Sequence, residues 1–203
     1  MQDSHASAAS PIYSAGDLTQ QAAPARGIPT ATNVDHVAYT VPDLDEAVRF
    51  FVDVLGADLL YREETIRSDD EWMLEALNVH PRATADIAML RLGPVTNIEL
   101  FQYSAPDQNR RVPRNSDYGG HHIAFYVRDI DAAADYLRRQ PGVRLLGAPR
   151  TVLDGPIAGD RWLYFLTPWG MQMELISLPS QLPYEATTAN RRFGPCAAWA
   201  PER

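Results

Sequence analysis

The chain has 203 residues, room for one domain or two small fused units, and its 45% apolar content supports a packed core over wholesale disorder. A formal net charge of −8 repels phosphate backbones and argues against a nucleic-acid partner, and no apolar run reaches membrane-spanning length. The single cysteine, Cys196, excludes an intrachain disulfide or a thiolate metal cluster within this sequence, and no activating motif surrounds it.

Residues 1–32, rich in Ala, Ser, Gln and Pro without periodicity, read as a flexible N-terminal arm. No basic segment followed by an apolar one marks a signal peptide there. The cytoplasm is the default compartment, with export after removal of a leader as the alternative. A first unit spans residues 33–104. Residues 34–41 alternate as a strand. Asp43 then stands as a helix N-cap with Glu46 three residues on, and Leu44, Ala47, Val48, Phe51 and Leu55 share one helical face before Gly56 ends it. Residues 57–62 predict a strand, 68–79 a short inserted helix around Trp72, and 87–92 and 96–103 two strands about Gly93-Pro94. Residues 105–119 are a linker.

The second unit, 120–178, repeats the plan. Residues 122–127 form the strand, and Asp129 caps a helix with Ile130, Ala133, Ala134 and Leu137 inward until Pro141-Gly142. Strands follow at 143–146, 162–166 and 171–177, the last two joined by the turn Thr167-Pro168-Trp169-Gly170. Each unit is therefore β-α-β-β-β. The tail, 179–203, is irregular, with Tyr184, Phe193 and Trp199 as candidate anchors.

The repeat is explicit in the residues. His36 opens H-V-A-Y-T-V-P-D-L-D-E-A and His122 opens H-I-A-F-Y-V-R-D-I-D-A-A, while Glu99 sits in N-I-E-L-F and Glu174 in M-Q-M-E-L-I. Strand side chains alternate faces, so His36, Ala38 and Thr40 share one face and the apolar residues between them meet the helix. The same parity places His122, Glu99 and Glu174 on the non-helix faces of their sheets. A carboxylate flanked by apolar residues is costly to bury without a partner. A lone strand His is more often structural, and a lone Glu usually pairs with Arg, but four in register across a repeat favour one divalent metal held by His36, Glu99, His122 and Glu174. Mixed N and O ligands suit Ni, Zn, Co, Fe or Mn without choosing among them. His121 has the opposite parity to His122, and His80 and His5 read as solvent-exposed.

Over residues 33–178, the strings quoted, together with G-H-H-I-A-F-Y-V-R-D-I-D and L-Y-F-L-T-P-W-G-M-Q-M-E-L, resemble the vicinal oxygen chelate superfamily of glyoxalase I, extradiol dioxygenases and bleomycin-resistance proteins. The resemblance implies an α+β fold of two tandem βαβββ modules whose curled mixed sheets form a metal cleft, within one chain or across a homodimer. It lies nearest to glyoxalase-I-like members, which use all four ligand places. It implies a metal-dependent lyase, isomerase or epimerase that stabilises an enolate of a small oxygenated substrate, with Glu174 as the first-choice catalytic base and Glu99 on the opposite face. Extradiol dioxygenases use a triad, here His36, His122 and Glu174, and a Tyr in a string similar to that of Tyr164, which makes an Fe(II) ring-cleaving dioxygenase the alternative. A non-catalytic drug-binding protein is a third reading. No convincing glutathione-binding set is present. Phe101, Tyr126, Tyr164 and Trp169 are candidate pocket residues, with Trp72, Met73 and Tyr103 behind them, although core packing explains such residues equally well.

Overall fold

The computed structural model describes residues 28–192 and 194. Most of the expected arm, with His5, Phe193, Cys196 and Trp199, lies outside the described residues. By its contacts the chain divides into Met1–Val34 and Asp35–Arg203, and among the described residues every strand belongs to the second unit.

Strand β1, His36–Thr40, leads into α1, Leu44–Arg49. Asp43 caps that helix as the sequence predicts: its backbone is extended and its carboxylate accepts the Glu46 N–H at 2.7 Å, satisfying an otherwise orphaned donor. The expected single helix to Leu55 instead widens after Arg49 into a π-helical turn, Phe50–Val54. The physical reason lies in two consecutive phenylalanines, Phe50 and Phe51, which are both buried. An ordinary α-turn separates neighbours by about 100°, and the wider turn brings both rings inward. Gly56, at φ +75°, lets the Ala57 N–H return to the Phe51 carbonyl at 2.9 Å and ends the helix. Strand β2, Asp58–Arg62, the inserted helix α2, Trp72–Leu77, and the hairpin of β3, Thr84–Leu92, with β4, Thr96–Ser104, complete the first module.

The second module repeats this order. It has β5, Ile123–Tyr126; α3, Ile130–Arg138; short β6, Arg144–Leu145; β7, Arg150–Thr151; β8, Arg161–Leu166; and β9, Gln172–Ser177. The Asp129 carboxylate caps α3 by accepting the N–H groups of Asp131 and Ala132, each at 3.0 Å. Strand β7 is absent from the sequence reading because two residues carry no readable alternation. In the tail, Pro183–Ala186 forms a 3₁₀ turn.

The sheets are ordered β1-β4-β3-β2 and β5-β9-β8-β6, with β7 added on β8. The first strand of each module lies parallel to the last, β1 on β4 and β5 on β9, and the remaining pairs are antiparallel. Both sheets are therefore mixed, and β1 and β5 are edge strands.

One core joins the modules. Leu44, Ala47, Phe50 and Phe51 from the first helix, Ile98 and Leu100 from β4, Ile130, Ala134 and Leu137 from α3, and Leu163, Phe165, Met173 and Leu175 from β8 and β9 form a single buried cluster. Phe50 meets the Trp169 ring edge-on at 5.4 Å, and Tyr136 donates to the Val54 carbonyl at 3.1 Å. Phe165→Ala should cost about 3–5 kcal/mol, and the described unit should unfold in one transition, with far-ultraviolet dichroism and tryptophan fluorescence coinciding. Two resolved transitions, one per sheet, would contradict a shared core.

Candidate functional site

The four predicted residues stand in two equivalent pairs. In the first sheet Ala38 lies opposite Glu99, with His36 two residues before Ala38. In the second, Ala124 lies opposite Glu174, with His122 two residues before Ala124. The register is the same, and in each case the small Ala leaves space for the imidazole to reach the carboxylate. His36 Nε2 lies 3.3 Å from Glu99 Oε2, and His122 Nε2 lies 3.0 Å from Glu174 Oε2. Glu99 and Glu174 are largely buried, their side chains 16% and 12% exposed. Their neighbours Ile98, Leu100, Met173 and Leu175 point into the shared core, so both carboxylates face away from it. The chain brings these residues together two by two; among the described residues no group of three or more His, Cys, Asp or Glu converges on one point.

The pairs differ in their surroundings. His36 Nδ1 contacts the Asp35 carboxylate at 2.8 Å, an interaction that fixes the ring and turns Nε2 toward Glu99. That hydrogen bond is the main reason the His36 pKa stands above its ordinary value; burial opposes it and the Glu99 charge adds to it. In the second module the residue before the histidine is His121, whose ring lies 4.8 Å from that of Tyr39 and whose Nδ1 is 2.9 Å from the Gly119 carbonyl. Burial pushes the Glu174 carboxyl up, with His122 pulling it the other way.

The outer faces are lined differently too. Met89 stands opposite Glu99, and Phe101 stacks on Tyr103 at 5.2 Å. Tyr164 stands opposite Glu174, meets His122 edge-on at 5.1 Å, and has Trp162 5.3 Å away. Burial raises the pKa of Tyr103 and Tyr164, and the adjacent Glu99 and Glu174 charges add to it, so both phenols stay protonated at neutral pH. Of the candidate pocket residues, Phe101 shares strand parity with Glu99, and Tyr126, opposite Ile176, shares it with Glu174. Trp169, in the β8–β9 turn, meets Phe50 edge-on and also lines a cavity with Ala38, Thr40, Tyr103 and His121. Asp35, Met89 and Trp162 are neighbours the sequence reading missed. Strand parity on β3 and β8 could have found Met89 and Trp162; nothing in the sequence marks Asp35.

Residues 35–159 match the family model described as Glyoxalase/Bleomycin resistance protein/Dioxygenase superfamily. A 2-epi-5-epi-valiolone epimerase from Actinomyces sp. is 62% identical over 180 residues, which cover 88% of this chain and 97% of that protein. The chain belongs to the glyoxalase/bleomycin resistance/dioxygenase superfamily. A metallothiol transferase, FosB, from Staphylococcus epidermidis is 27% identical over 71% of this chain and 80% of its own length. A glyoxalase family protein from Bacillus cereus superposes with a TM-score of 0.58 at 23% identity, covering 75% of this chain and 99% of that one. The superfamily fold, two curled mixed sheets with few helices, is the one found here. Among the described residues no helix is long and apolar enough to cross a membrane.

Burial gives Glu174 a pH signature. Its folded-state pKa lies above the unfolded value, so the destabilisation from its charge is absent below about pH 4.3 and grows as pH rises through the folded value. Metal-free Glu174→Gln should therefore melt higher than the parent near neutral pH, as read by calorimetry. The difference should close toward about pH 4. A constant difference across that range would exclude this cause.

Proposed function

We propose that the chain is a metal-dependent epimerase that inverts a carbon next to a carbonyl in a hydroxylated cyclic ketone, with 2-epi-5-epi-valiolone as the first substrate to test. The observation that carries this reading is the His–Glu pair repeated in identical register on two sheets; the epimerase relative supports the substrate. The donor set fits a divalent cation. Each pair offers one imidazole nitrogen and one carboxylate oxygen 3.0–3.3 Å apart, and ligands about 2.1 Å from a common ion stand roughly 3.0–3.4 Å from each other.

Two copies of the chain complete the site. The shared core sets both pairs on the other faces of their sheets, and among the described residues the pairs of one copy do not converge. Among the described residues β1 and β5 keep free edges, and Val37 on β1 is 38% exposed. Joining β1 of one copy to β5 of another would set His36 and Glu99 beside the second copy's His122 and Glu174. A two-fold axis would repeat the arrangement, giving two sites per dimer. When bound, the metal supplies a Lewis acid that polarises the substrate carbonyl.

The residues supply the rest. Glu174, with its pKa raised by burial, takes the proton from the carbon beside the carbonyl. Glu99 of the other copy, approaching from the opposite sheet, returns a proton to the opposite face. Two bases on opposite sides suit inversion of one carbon. Tyr164, protonated and beside Glu174, is placed to donate to a substrate oxygen.

In deuterated buffer, the protein with a divalent metal should invert 2-epi-5-epi-valiolone and place deuterium on the inverted carbon, as read by proton NMR, and a chelator should stop both. Glu99→Gln or Glu174→Gln should lower kcat by about 10²–10⁴-fold. Unchanged substrate with every divalent metal tried would sink the reading. In solution the mass should be twice the 22.6 kDa of one chain. Mixing inactive His36→Ala with inactive His122→Ala should restore up to about a quarter of parental activity, because half of the dimers would carry one intact site of two. A site built within one chain would restore none.

The edge-on contact of Tyr164 with His122 also suits ring cleavage by an Fe(II) triad of His36, His122 and Glu174. Oxygen uptake with iron and a catechol would favour that second reading, and in that case Glu99→Gln would be tolerated.

A further inference from the structure

A second polar cluster lies where the loop before β8 meets the C-terminal tail, and it takes no part in the His–Glu pairing. Asp160, the residue before β8, is 2% exposed. Its Oδ2 lies 3.8 Å from Nη1 of Arg192, beyond hydrogen-bond length, and its Oδ1 has no hydrogen-bond partner among the described residues. Tyr164, four residues on from Asp160, stands opposite Glu174.

The tail puts Arg192 there. The Arg192 N–H donates to Tyr184 Oη at 2.9 Å, the Tyr184 N–H donates to the Pro156 carbonyl at 3.0 Å, and Leu182 is buried. Pro179 packs on Gly159 so closely that a Cβ there would come within 3.1 Å of its ring. The loop before β8 and the C-terminal tail are thus fastened together around a carboxylate that is one donor short. An unpaired buried acceptor is costly, and a guanidinium at that distance offsets only part of the cost. A hydroxyl satisfies both partners at once, its O–H donating to Asp160 Oδ1 and its oxygen accepting from the Arg192 guanidinium.

We propose that Asp160 and Arg192 form a subsite that binds a ring hydroxyl of a polyhydroxylated substrate and thereby selects which carbon stands over Glu174. The proposal rests on the epimerase reading for its ligand class. It makes the two residues specificity determinants and leaves the proton transfer to the glutamates.

The test is calorimetric titration of 2-epi-5-epi-valiolone, and of analogues each lacking one ring hydroxyl, into the metal-loaded parent, Asp160→Asn and Arg192→Gln, with metal content and melting temperature measured alongside. Both variants should bind the ketone about tenfold more weakly or worse, with metal content unchanged. One deoxy analogue should bind parent and variants alike, because it lacks the hydroxyl that the subsite holds. Should Asp160→Asn fail to fold, the partly exposed Arg192→Gln carries the comparison. Parental affinity in the variants, or weakening that is the same for every analogue, overturns the subsite, as does a parent that does not bind the ketone. Variants that bind and epimerise like the parent would remove the subsite and leave the epimerase reading standing. A parent that binds through Asp160 and Arg192 but inverts nothing would remove the epimerase reading and leave the subsite.

Discussion

Two sheets that bury their helix-side faces in one core can present their other faces only outward, and most of this molecule follows from that constraint. Ile98 and Leu100 fix the direction of Glu99, and Met173 and Leu175 fix that of Glu174, because a pleated strand gives neighbours opposite faces. Once Phe50, Phe51 and Phe165 close the interior between the modules, each carboxylate is left on an outer face with one histidine for company. The pairing is thus a by-product of how the core is packed. The same packing separates the two pairs within one chain.

Alternation and capping made most of this legible in the residues. Asp43 and Asp129 announce their helices, and the structure shows each carboxylate on the N–H groups expected of a cap. The repeat of His-x-Ala reads directly as the strand that faces a glutamate, and the register bears out that parity in both sheets. The π-turn at Phe50 was not legible, since an α-helix and its widened form share the same apolar positions until both rings must be buried at once. The separation of the two pairs was equally hidden: parity assigns faces to strands but says nothing of how two sheets stack.

What lay furthest from the sequence is the neighbourhood of Asp160. An aspartate after a glycine-rich loop reads as an ordinary exposed turn residue. Its burial comes from Pro179 and the tail folding back over that loop, contacts that join positions about twenty to thirty residues apart with no shared period. Trp169 illustrates the converse. Its place in a turn suggests a pocket wall, and its ring does line a cavity with Thr40 and His121, yet it also meets Phe50 of the interior that holds the modules together.

The two halves match in register but differ one residue before each histidine, where Asp35 grips one imidazole and His121 turns away toward Tyr39. A duplicated site therefore has a handedness that its symmetry would not supply. A flat, trigonal carbon held between the halves would meet unlike partners above and below. Such inequality leaves the ratio of two epimers at equilibrium untouched, since a catalyst lowers both directions of one path together. It would bear instead on which face exchanges its hydrogen with solvent sooner.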